Sequence, residues 1–100
     1  MEKKKAHYPL SAIQALVRQS GFDAFTRIAQ IGAMEMGLSE AQALGVVQAL
    51  ESGMLRKSMT THADHTVWQD VYDAPCPNGK TAYLKLTLQE GRAVIQFKEK

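Results

Sequence analysis

The sequence predicts an α+β fold of two layers, with N-terminal helices packed on a C-terminal antiparallel β-meander. Three observations predict it. The apolar period is helical as far as Gly53 and alternating from there to the end. Ser39 and Gln42 stand at capping-box spacing before an apolar stripe. Glu90-Gly91 separates two runs that alternate cleanly on both sides, as a tight hairpin requires. Helices first and strands afterwards pack most simply as one layer on the other.

Taken in order, residues 1 to 8 read as a frayed basic lead-in. Ser11 and Gln14 have capping-box spacing, and Leu10, Ile13, Leu16 and Val17 follow at helical intervals, so a first helix is expected over 11 to 20. Gly21 stops it. Asp23 is the expected cap of a second helix, with Phe25, Ile28 and Ile31 as its apolar positions and Gly37 as its end. Residues 21 to 26 are equally compatible with a short extended entry. Ser39 caps a third helix with a stripe of Ala43, Val46, Val47 and Leu50, closed by Gly53. Strands are expected near 54–60, 65–72, 82–89 and 92–98. The segment 73 to 80, D-A-P-C-P-N-G-K, reads as a turn-rich loop, because two prolines and Asn-Gly do not continue a ladder.

A two-residue turn at Glu90-Gly91 fixes the last hairpin. Gln89 then opposes Arg92, and Leu84, Leu86 and Leu88 face Phe97, Ile95 and Ala93 on one apolar side. The other side pairs Tyr83 with Lys98, Lys85 with Gln96 and Thr87 with Val94. A slip of one residue would destroy this pattern. The first hairpin is less determined. A three-residue tip at 62 to 64 sets Lys57 opposite Gln69, and a four-residue tip sets it opposite Trp68.

One hundred residues with 45% apolar and 22% charged content make one domain, 1 to 100, of ordinary soluble composition. A net charge of +2 and pI near 8.8 are compatible with a polyanionic partner. The lone Cys76 excludes an internal disulfide and disfavours a zinc ribbon. No apolar run approaches the roughly 20 residues of a membrane span. The basic start M-E-K-K-K has no apolar stretch behind it and is not a signal peptide, so the expected location is cytoplasmic.

The chemistry concentrates in residues 57 to 72, K-S-M-T-T-H-A-D-H-T-V-W-Q-D-V-Y, which hold two of the three histidines and the only tryptophan. This string, the later Y-L-K-L-T-L and the terminal F-K-E-K closely resemble the motility quorum-sensing regulator (MqsR) toxins. The opening M-E-K-K with His7, Leu10 and Ser11, and M-G-L at 36 to 38, fit the same pattern. The resemblance implies a RelE-like type II toxin, an endoribonuclease that cuts single-stranded mRNA near GC-containing sites with neither metal nor ribosome. It implies a partner too, a zinc-containing helix-turn-helix antitoxin that represses the shared operon. The family's functional positions match here as Lys57, Gln69, Tyr83 and Lys98. Arg56 stands where some other members carry an aromatic residue, a departure that bears on base preference and rate.

Metal-free RNA cleavage has the 2′-hydroxyl attack the adjacent phosphate, leaving a 2′,3′-cyclic phosphate and a 5′-hydroxyl. It needs a base, charge stabilisation at the phosphorane and an acid. Lys57 and Lys98 suit phosphate stabilisation, Tyr83 proton donation or phosphate binding, and Gln69 substrate orientation. Lys85, Arg56, His65 and Trp68 are further RNA-binding candidates, although a lone strand tryptophan more often packs than stacks on a base. His65 and His62 are alternative proton carriers. A metal site from His62, Asp64, His65 and Cys76 has the right ligand types and no common spacing, so no cofactor is expected. The competing reading is a non-catalytic module that holds RNA or a partner on the same basic face.

Overall fold

The computed structural model describes residues 1–100. Strand β1 (Glu2–Lys3) leads into helices α1 (Leu10–Ser20), α2 (Arg27–Glu35) and α3 (Glu40–Gln48). Strands β2 (Leu55–Thr60), β3 (Trp68–Pro75), β4 (Thr81–Gln89) and β5 (Arg92–Glu99) follow. All five strands form one antiparallel sheet in the order β1-β2-β3-β4-β5, with the helices on one face. The two-layer α+β expectation holds.

Three local expectations about the helices are corrected. Helix α1 begins at Leu10 behind Pro9 without a side-chain cap. The Gln14 amide instead donates to the carbonyls of Val47, Gln48 and Leu50, satisfying the orphan acceptors at the end of α3. Thr26, not Asp23, caps α2 by accepting from the Ala29 N–H, after a 3₁₀ turn over Gly21–Ala24. Phe25 then makes a single parallel bridge to Ile95. The Ser39–Gln42 capping box is present, but α3 stops at Ala49, before Gly53.

The stripe expected to bury α2 is also corrected. Phe25 is buried, whereas Ile28, Ile31 and Met34 lie on the solvent side. Small residues, Ala29 and Ala33, face the sheet because α2 packs very close to β5. A Cβ placed on Gly32 would come within 2.6 Å of the Phe97 carbonyl oxygen. Bulky side chains do not fit at that distance, so they face outward.

The amino terminus is not frayed. Residues 2 and 3 pair with Met59 and Ser58, and the buried Asp70 carboxylate accepts the N–H groups of His7 and Tyr8. One carboxylate far along the chain thus anchors the lead-in. In the middle of the sheet, β3 runs on through Asp73, Ala74 and Pro75, which pair with Tyr83, Ala82 and Thr81. The expected loop at 73 to 80 therefore shrinks to a turn around Pro77 and Asn78. Pro75 is tolerated because it closes the strand.

The β4–β5 register matches the expectation at every pair, with Glu90 and Gly91 both at positive φ, as a type I′ turn demands. Both expected registers of the β2–β3 hairpin are wrong. Lys57 pairs with Val71, and the connecting loop spans seven residues, 61 to 67. Polar side chains order this loop from within: Thr61 Oγ1 donates to the Asp64 carbonyl, and the Asp64 carboxylate accepts from the Thr66 N–H and hydroxyl. Sequence period carries no trace of such bonds, so the loop length was not legible.

Candidate active site

The pleat sorts the sheet into a core face and an open face. Tyr72, Ala82, Leu84, Leu86, Ile95 and Phe97 join the helical core. On the open side the ladders produce successive rows. Lys57, Val71, Lys85 and Gln96 form one, and Asp73, Tyr83 and Lys98 form the next toward the β4 amino end. Met59 and Gln69 lie on the other side of the lysine row, with Thr87 and Val94 paired nearby. All four functional positions implied by the resemblance, Lys57, Gln69, Tyr83 and Lys98, therefore share the open face.

They are not all one cluster. Tyr83 lies between two cations: the Lys98 Nζ is 5.4 Å from its ring centroid and the Lys85 Nζ is 6.0 Å away. Both fall within the range where a ring quadrupole attracts an ammonium. These three residues, with Thr26, Ile28 and Gln96, line a cleft of about 320 Å³ between α2 and the sheet. It holds two cationic hydrogen-bond donors, a phenol and an apolar wall. Such a set can neutralise a phosphodiester and exchange a proton with one of its oxygens.

Lys57 lies two strands from Lys85 and is already engaged. Its Nζ bonds the Glu2 carboxylate at 3.0 Å, and that bond holds the Glu2 carboxyl below the usual range. Arg56, expected to bind RNA, bonds Asp73 at 2.9 Å, and Lys100 bonds the same Asp73 oxygen. Burial pushes the Asp73 carboxyl up, but the hydrogen bonds from Lys100 and Arg56 outweigh it and the net shift is down. Neither carboxylate was foreseen here, because residue 2 was read as frayed and residue 73 as loop.

Gln69 sits on the floor of a second, larger depression of about 610 Å³, bounded by the loop 61–67 and shared with Lys85 and Gln96. The residue is 9% exposed. Its amide makes no hydrogen bond within the protein. The two depressions meet along Lys85 and Gln96, so the open face is one groove with a cationic end and an amide-rich end.

Other candidates lie elsewhere. Trp68 alternates with Gln69 and faces the other side of the sheet, where the His7 ring stacks on it at 5.1 Å and the Lys3 Nζ lies 4.2 Å from its centroid. The Tyr8 hydroxyl donates to the Trp68 carbonyl. Tryptophan here clamps the amino terminus to the sheet. His62 and His65 are exposed in the 61–67 loop, and only His62 borders the groove. Cys76 is buried in the core beyond β3, and burial pushes its thiol up. His62, Asp64, His65 and Cys76 do not come together as a metal site. No helix is long and apolar enough to cross a membrane.

Comparison with known proteins bears on this geometry. Residues 5–99 match the family model described as motility quorum-sensing regulator, toxin of MqsA. Over 100 residues, covering 100% of both chains, the sequence is 40% identical to the mRNA interferase toxin MqsR of Escherichia coli (strain K12).

Proposed function

The chain belongs to the motility quorum-sensing regulator family of toxins, and from that premise we propose that it is an mRNA interferase whose active site is the open sheet face. The observation that carries the proposal is the Tyr83 phenol flanked by the Lys85 and Lys98 ammonium groups inside a cleft. An extended single strand lies along the groove with its scissile phosphate over this trio. The 2′-oxygen attacks that phosphate, the 5′-oxygen of the next nucleotide leaves, and a 2′,3′-cyclic phosphate results. Negative charge develops on the non-bridging oxygens, where the two lysines beside Tyr83 can neutralise it. The proton lost by the 2′-hydroxyl is made up at the leaving 5′-oxygen, with Tyr83 as its carrier between the two. Gln69, on the groove floor, orients the ribose or base.

Lys57 supplies a further cation once the phosphate chain displaces Glu2. Cleavage near GC-containing sites, control by a zinc-containing helix-turn-helix antitoxin, repression of a shared operon and action in the cytoplasm belong to the same reading, supported by family membership.

The test is a metal-free incubation of the purified protein with a defined RNA in EDTA, alongside Lys57→Ala and Lys98→Ala. The expected result is cutting at a recurrent short motif, 2′,3′-cyclic phosphate ends, and loss of both in each variant. Bound but intact RNA would replace the nuclease with a non-catalytic binder.

A further inference from the structure

The glutamines of this chain differ in how their amides are used. In the helical layer, the side-chain amides of Gln14, Gln30, Gln42 and Gln48 are engaged with backbone groups, and that of Gln19 is not. On the open face, those of Gln69, Gln89 and Gln96 have no partner in the protein, and all three line the larger depression. Gln69 is nine-tenths buried as a residue, and its amide reaches solvent at that depression. An amide that bonds nothing within the protein keeps its donors and acceptor for a ligand that enters the depression.

The depression suits a nucleobase better than a phosphate. Lys85 is its only lysine or arginine and is offset by the Asp64 carboxylate, and that lysine stands at the junction with the Tyr83 cleft. Met59 and Val94 contribute apolar surface for the faces of a ring, while Thr87 and the three amides supply paired donors and acceptors for its edge. An amide presents a donor and an acceptor in fixed geometry, which is how side chains distinguish one base edge from another. Sites built to hydrogen-bond a group also reject analogues lacking it far better than apolar pockets do.

Resting on the nuclease reading above, we propose that the depression bounded by Gln69, Thr87, Gln89 and Gln96 is a base-reading subsite. It takes the nucleobase on one side of the cleaved phosphate and sets sequence preference at that position. The lysine end fixes where the backbone lies and is indifferent to sequence. The amide end selects.

The experiment maps every cut made in a randomised RNA pool by the wild type, Gln96→Leu and Thr87→Val. Gln96 is exposed and Thr87→Val is nearly isosteric, so both variants keep the fold, verified by unchanged thermal midpoints. The expected result is a preference at a single nucleotide position relative to the cut that falls at least about tenfold, while preferences at other positions persist. Cut-site profiles identical to the wild type at every position would overturn the subsite and leave the nuclease intact. A wild type that makes no cuts would overturn the nuclease reading and the subsite with it.

Discussion

The Lys98 ammonium lies 5.4 Å from the centroid of the Tyr83 ring, from the residue directly opposite on the neighbouring strand. Ring and ammonium are held by a ladder whose register was unambiguous, so the phenol is the one group that can be removed without moving its cation. Tyr83→Phe keeps the ring and deletes the hydroxyl. If the phenol carries a proton in the reaction, single-turnover cleavage falls by about 10² to 10⁴, with stability within about 0.5 kcal/mol of the wild type. A variant that cuts at the wild-type rate would reduce Tyr83 to a platform for the two lysines.

Lys57 and Glu2 form an exposed ion pair that any phosphate must replace. Glu2→Gln frees the ammonium without removing the amino-terminal strand. RNA should bind more tightly, and the plot of log K against log salt should steepen by about 0.7, the increment expected for one more phosphate contact on a single strand. An unchanged slope in a fluorescence-anisotropy titration would show that Lys57 reaches phosphate with Glu2 still bound, or not at all.

Asp70 is fully buried and takes both the His7 and Tyr8 N–H groups on its carboxylate. Asp70→Ala leaves two donors without a partner and releases residues 1 to 8 from the sheet. Hydrogen bonds to charged acceptors are worth about 1.5 to 3 kcal/mol each, so losing the two is expected to cost about 3 to 6 kcal/mol in urea unfolding. Hydrogen exchange should quicken first in residues 2 to 8. Loss of stability without that local signature would place the cost in the core instead.

What was legible in the sequence follows from the range of the forces involved. The β4–β5 hairpin could be paired residue by residue because Leu84, Leu86, Ile95 and Phe97 alternate strictly and Glu90-Gly91 admits one turn. That put Tyr83 beside Lys98. The β2–β3 hairpin resisted because both its faces are mixed and its loop is closed by Asp64 and the threonines around it. Long-range polar contacts were invisible for a related reason. Nothing local marks Asp70 as the anchor of His7, or Asp73 as the partner of Arg56 and Lys100. Ile28 and Ile31 misled because their spacing is that of a buried stripe, and the close approach of Gly32 to Phe97 turns them outward.

Gly32→Ala tests that approach. The added methyl meets the Phe97 carbonyl oxygen at 2.6 Å, a backbone atom that cannot rotate away. Overpacking of this kind costs about 1 to 3 kcal/mol, exceeding the gain of up to about 1 kcal/mol in helix propensity. Because Ile28 and Lys98 line one cleft between α2 and β5, the shift should also lower RNA cleavage. A stabilised, fully active variant would mean that α2 slides freely on β5.

Asp73 sets the acid limit of the open face. Its carboxyl is held below the ordinary aspartate value in the folded chain, because the bonds from Lys100 and Arg56 outweigh burial. A depressed folded pKa gives stabilisation that is complete above the unfolded value, about 3.9, and is lost as pH falls through the lower folded value. Stability should therefore be flat in this respect at neutral pH and decline below about pH 4. The pairs are partly exposed, which keeps the whole effect near the 0.2 to 1 kcal/mol of surface bridges. Asp73→Asn should remove that part of the acid dependence and leave Arg56 and Lys100 unpaired beside Tyr83. RNA affinity at pH 7 should then rise, with a steeper salt dependence than the wild type. Weaker binding at pH 7 would show instead that Asp73 holds Arg56 in the position from which it meets the backbone.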